Sequence, residues 1–180
     1  MSYLKKAVSI IGIILTFFIL YFLQLDFFSW FNIAGVKPNL FIVLVLCIGL
    51  FIGRKVAVPY GFVIGLYLDL LTGKQIGISA LLFAVIGFSG EYLDKNFSNE
   101  SKMTILLMVA GSTVFYETIL YIYTIARNSI PLEFFGFMKL LIIEVVFNVL
   151  LSIIIYPIIR STGDFFEQTF RQKKFLTRYF

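Results

Sequence analysis

An all-α integral membrane fold, a bundle of six transmembrane helices, is what this sequence predicts, on three observations. Its 180 residues are 60% hydrophobic and only 14% charged, against roughly half and a quarter in soluble domains. Its mean hydropathy of +0.97 is an excess that no small soluble domain hides, because such a domain leaves much of its surface in water. The apolar residues come in long continuous runs and not in the alternating pattern of a membrane barrel, so helix is the spanning structure.

Six segments follow along the chain when apolar runs are set against the ~20 residues that cross a bilayer core. The first, Ala7–Leu25, follows Lys5 and Lys6; it is too long for a signal-peptide core and no small-residue cleavage site follows, so it reads as a retained anchor. The second runs from Val36 to Ile52, with Pro38 in its first turn, where a missing N–H costs nothing. Gly53-Arg54-Lys55 predicts a tight turn, Val56–Thr72 the third span, Gly73-Lys74-Gln75 another turn, and Ile76–Gly90 the fourth span. A polar loop is expected over Glu91–Lys102, a fifth span over Met103–Ala126, a loop with Pro131 over Arg127–Gly136, and a sixth span over Phe137–Ile159. Segments two to four are short for a full span.

Charge orients the bundle. With the N-terminus inside, eleven of the 15 Lys and Arg residues fall on the inner side; Lys37, Lys74, Arg127 and Lys139 are left outside. This is the positive-inside pattern, with both termini cytoplasmic. The reading is one six-helix transmembrane domain over residues 1–160 and a basic tail over 161–180. In the tail Phe165, Phe166, Phe170, Phe175 and Leu176 recur near helical spacing, with Arg171, Lys173 and Lys174 between them. That pattern predicts an amphipathic helix on the anionic cytoplasmic face. The net charge of +5 is spread over short loops and the tail, so membrane lipid, and not nucleic acid, is the expected partner of the basic residues.

Function is bounded by what is missing. The chain has no His and a single Cys, Cys47, inside an apolar run. Intrachain disulfides, His/Cys metal sites and Ser-His or Cys-His catalysis are therefore excluded. No catalytic residue, metal or cofactor is expected.

Two kinds of residue remain informative. Gly61, Gly65, Asp69 and Gly73, four apart, form one stripe on segment three; Gly49 and Gly53 give segment two a similar patch, and Gly77, Ala80, Ala84, Gly87 and Glu91 do so on segment four. Small residues allow close helix approach in lipid, so Gly49, Gly53, Gly61, Gly65, Gly73 and Gly77 are expected at packing seams. Asp69, Glu117 and Glu144 are carboxylates within predicted spans. A charge at membrane depth costs at least ~2.5–3.5 kcal/mol, which directs it to the protein interior or a wet cavity. All three fall toward the outer half. Thr113, Glu117, Tyr121 and Thr124 share one helix face, and Glu144, Asn148 and Ser152 another. Asp69, Glu117, Glu144 and Asn148 are thus candidate binding residues, with Lys74 and Lys139 as candidate counter-charges. An outward polar cavity, a polar contact with a partner helix, and buried hydrogen bonds that fix helix register all fit this pattern.

The stretch Lys37-Pro38-Asn39-Leu40, an apolar run, then Gly61 to Gly73 with Asp69-Leu70-Leu71-Thr72-Gly73 at its end, then Gly77 and Ala80-Leu81, resembles the bacterial rod shape-determining protein MreD family over residues 37–90. Asn39 stands where the family often has Asp. The resemblance implies a non-catalytic protein of the cell-elongation machinery in the bacterial cytoplasmic membrane. It implies association with the single-span protein MreC and, through it, with MreB, RodA and a penicillin-binding transpeptidase, in support of lateral peptidoglycan synthesis. It also implies a fold similar to the substrate-binding subunits of energy-coupling-factor transporters, from which the alternative follows: a small-solute-binding subunit of a vitamin-type transporter.

Overall fold

The computed structural model describes residues 11–12, 15, 17–19, 21–24, 35–73, 77–96, 102–128 and 131–170. Every regular element described is helical. α1 comprises the helical positions within 11–24; α2 is Leu40–Phe51, α3 Arg54–Thr72, α4 Ile78–Asn96, α5 Lys102–Asn128 and α6 Phe134–Phe170. Among the described residues, three helical stretches are long and apolar enough to cross a bilayer: Arg54–Thr72, Met103–Asn128 and Phe134–Ile154. The apolar helices Leu40–Phe51 and Ile78–Leu93 are shorter.

The centre of the molecule is α2. Its sequence, Leu40 to Phe51, has no charged residue, and each position from Leu40 to Leu50 is buried. A helix that is apolar all round needs protein or lipid on every side; here protein supplies it. α3, α4, α5 and α6 all pack on α2, and Phe17 of α1 lies with its ring centroid 5.9 Å from that of Phe41. α3 and α4 form the most extensive antiparallel pair, and α5 pairs with α6.

Close packing of α4 against α2 and α3 depends on missing side chains. A Cβ built on Gly61 would lie 2.6 Å from the Phe83 carbonyl oxygen, and one on Gly65 would lie 2.5 Å from the Ala80 nitrogen. One on Gly87 would lie 2.7 Å from the Ala57 carbonyl oxygen. Gly49 abuts the backbone of Gly87 and Gly90 in the same way. Backbone therefore meets backbone along both seams, the arrangement small residues permit in lipid.

Three of the six glycines expected at seams serve the backbone instead. Gly73 and Gly77 have φ of +62° and +97°, and nothing lies within 4 Å of a Cβ on either. They shape the α3–α4 turn. Gly53, at φ +105°, shapes the α2–α3 turn, where an added Cβ would meet only the Glu91 side chain. A left-handed backbone and a close approach both select glycine, so the fourfold spacing continued past the point where the helix stops.

Element boundaries also shift. The α2–α3 turn needs only Gly53, so Arg54 and Lys55 already belong to α3. α4 continues through the polar residues Glu91 to Asn96, because helix propagation depends on backbone hydrogen bonds and not on hydropathy. α6 continues past Pro157 and Ile159 to Phe170. Proline removes one backbone bond and does not forbid the turns on either side of it, so residues 161–170 extend the sixth helix. Residues 171–180 of the tail lie outside the described residues.

Candidate functional site

Polar groups in the interior form three clusters. The first is built on Asp69, in the last turn of α3 and 2% exposed. Its Oδ2 accepts hydrogen bonds from the backbone N–H groups of Gly77 at 2.8 Å and Ser79 at 3.1 Å, with Ala80 N–H at 3.4 Å. These are among the N–H groups that a helix N-terminus leaves without intrahelical partners, so Asp69 caps α4 from the preceding helix. The Tyr116 hydroxyl donates to Ser79 Oγ at 3.1 Å and ties this turn to α5.

The same device recurs at the opposite end of the pair. Glu91, on α4, accepts from the Arg54 N–H at 2.6 Å and so caps α3. The ion pair between their side chains is loose, at 3.9 Å, and Arg54 is half exposed; such a pair adds little. Each small-residue stripe thus ends in a carboxylate that caps the other helix.

Asn148 of α6 centres the second cluster and is fully buried. Its Nδ2 donates to Thr113 Oγ1 at 3.0 Å, and its Oδ1 accepts from the Asn39 N–H at 2.8 Å. The Thr113 hydroxyl in turn donates to the Val109 carbonyl at 2.9 Å. On the other side of the same chain segment, Gln24 Oε1 accepts from the Leu40 N–H at 3.0 Å and Gln24 Nε2 donates to the Pro38 carbonyl. The side chain of Asn39, the N-cap residue of α2, makes no capping bond. α2 starts with remote caps from α1 and α6, and the charge that Asn39 lacks is not called for.

The third cluster lies between α5 and α6. A cavity of about 240 Å³ is lined by Glu117, Tyr121, Glu133, Phe137, Leu141 and Glu144, among others. Glu117 of α5 and Glu144 of α6 share this lining, so the two carboxyls face one space. Tyr121 stacks on Phe137 with centroids 4.1 Å apart, and its hydroxyl accepts from the Glu133 N–H at 3.0 Å. Lys139 is exposed and does not line this cavity, and Lys74 lies outside the described residues. The counter-charge expected of Lys139 is therefore not supplied there. Among the described residues no set of three His, Cys, Asp or Glu side chains is placed to hold a metal ion.

A different feature faces outward. α4 and α5 touch only lightly, and between them runs an apolar groove of about 500 Å³ whose walls include Val85, Ser89, Leu93, Leu107, Gly111 and Phe115. Gly111 is exposed, with open space where a Cβ would stand. It is a small residue on a helix face with no backbone yet against it.

The family model for rod shape-determining protein MreD matches residues 5–162. The chain belongs to the MreD family. No curated protein and no solved structure matches it. Family membership assigns a role in rod-shape determination, and the apolar helices make this MreD-family chain a membrane protein. The resemblance noted in the sequence now has a physical content. Gly61, Gly65 and Asp69 are one packing-and-capping unit that joins α3 to α4.

Of the four candidate binding residues, Glu117 and Glu144 are brought together, Asn148 sits one turn of α6 further in, and Asp69 is used up as a helix cap. Sequence reasoning missed Gln24 and the capping role of Glu91. The signal for Gln24 was a lone amide in an otherwise apolar run; for Glu91 it was a carboxylate one turn after Gly87.

Proposed function

We propose that this chain is a non-catalytic scaffold of the cell-elongation machinery that holds an MreC-like single-span protein in the groove between α4 and α5. Through that partner it would connect to MreB, RodA and a penicillin-binding transpeptidase and support lateral peptidoglycan synthesis. The observation that carries the docking face is the unfilled groove at Gly111. A transmembrane helix packs best where small residues admit its backbone, and the glycines within α2, α3 and α4 already meet backbone of one another.

Gly111→Leu tests this. The site is open and leucine is a better helix former than glycine, so the protein should fold and extract as the wild type does. Co-purification of the single-span partner should fall roughly tenfold, the loss of about 1.4 kcal/mol of contact. Undiminished capture would place the partner elsewhere. Depleted cells that stay rod-shaped, with no such partner recovered, would remove the scaffold reading itself.

The proposal includes six spans with both termini and residues 97–101 on the cytoplasmic side of the bacterial inner membrane, supported by the distribution of Lys and Arg. In a Cys47→Ser background, a cysteine at position 98 should resist a membrane-impermeant thiol reagent added to intact cells, and one at position 132 should react. Labelling at 98 from outside would overturn the topology.

A solute-binding subunit, related in fold to the vitamin-transporter subunits, is the weaker reading. Its site would be the cavity at Glu117 and Glu144, which has about half the volume of the α4–α5 groove.

A further inference from the structure

The outer ends of the helices stand at two levels. α2, α3 and α4 have 12, 19 and 19 residues, and α5 has 27. At 1.5 Å per residue these are about 18, 28, 28 and 40 Å long. The inner ends are nearly level, because Leu93 of α4 and Thr104 of α5 line the same end of one groove and Arg54 of α3 is bonded to Glu91 of α4. The difference therefore falls on the outer side. Three hydrogen bonds fix where. Ser79, at the start of α4, is bonded to Tyr116, and Asn39, at the start of α2, is joined through Asn148 to Thr113. Beyond Tyr116, α5 continues over Glu117–Asn128, about 18 Å of helix.

Both levels are apolar on the outside. At the lower one, Leu70, Leu71 and Leu81 are 60%, 51% and 59% exposed. At the upper one, Leu132, Phe134 and Phe135 are 67%, 53% and 87% exposed. Such exposed apolar residues at helix ends belong in lipid, so α5 and α6 do not simply project into water. At the lower level the α3–α4 connection contains Lys74, whose charge requires headgroups or water at that depth. We infer that the bilayer around this protein is asymmetric, with the outer leaflet dipping to meet the α3–α4 turn and standing about half of a bilayer core higher against α5 and α6. A membrane accommodates short spans by local thinning at modest cost; here short and long spans share one molecule. The binding partner is the lipid itself; the inference rests on the proposed topology and not on the scaffold reading.

The full chain with Trp30→Phe, carrying either Leu71→Trp or Phe135→Trp, is reconstituted in phosphatidylcholine vesicles. Fluorescence quenching is compared for lipids brominated near the headgroup and near the chain end. Both reporters should be quenched more strongly by the shallow bromine. Deep quenching of Leu71→Trp beside shallow quenching of Phe135→Trp would mean a flat bilayer and overturn the inference. So would a Phe135→Trp that no brominated lipid quenches. Leu81→Trp, on the neighbouring helix at the lower level, repeats the measurement if Leu71→Trp does not fold.

Discussion

Leucine in place of Gly65 will leave little folded protein. The added carbon would start 2.5 Å from the Ala80 nitrogen, and the obstacle is backbone on a helix tied to α3 by a cap at each end of the pair. Neither side has a flexible side chain to move aside. Overpacking a core usually costs 1–3 kcal/mol; with backbone on both sides the cost should exceed ~3 kcal/mol, enough to part α3 from α4. Leu66→Ala, one residue on and only half buried, should cost about 1–2 kcal/mol. Yields of monodisperse protein in mild detergent should separate the two variants clearly. Equal yields would mean that the α3–α4 seam is not as close as these distances make it.

Asp69 should show the second large effect, with a defined order among its variants. Leucine fills the space but accepts no hydrogen bond, so the Gly77, Ser79 and Ala80 N–H groups lose their acceptor at a buried helix start. Each buried donor left unsatisfied costs about 1–3 kcal/mol, and Asp69→Leu should lose on the order of 3 kcal/mol or more. Asparagine keeps an acceptor oxygen and forfeits the favourable placement of a negative group at a helix N-terminus, about 0.3–1 kcal/mol. Thermal unfolding in detergent should therefore rank wild type, Asp69→Asn and Asp69→Leu in that order, with the larger gap before leucine. Were asparagine as damaging as leucine, the charge itself would be in use, and a site for a cation or basic solute would replace the cap as the explanation.

The long apolar runs of segments five and six were plain in the sequence because nothing but a lipid-spanning helix satisfies such composition. The ends were less plain. Glu91 to Asn96 are polar, and hydropathy stops where hydrogen bonding does not. Gly61, Gly65 and Asp69 could be read as one buried face from spacing alone. That Gly73 and Gly77 bend the chain could not, since both uses of glycine leave the same letter at the same interval. Asp69 was recognisable as buried from the cost of charge in lipid. Its task was hidden because a cap on α4 depends on the antiparallel register of α3 and α4, which no local pattern encodes. Glu117 and Glu144 were placed at matching depth; that they line one cavity follows only from the α5–α6 pairing. Gln24 and Asn148 are 124 positions apart in the numbering, and their joint work on α2 is a property of the closed bundle.

The arrangement around α2 also sets an order of manufacture. Asn148, which accepts from the Asn39 N–H, is more than a hundred residues downstream of the helix it completes. The ribosome makes α1 to α5 before that acceptor exists. Until then the first turn of the innermost helix has Gln24 on one side and an open donor on the other. The last span is thus the closing piece of the molecule, and a nascent chain that stalls before residue 148 offers the cell's membrane quality control an unfinished centre inside an otherwise inserted protein.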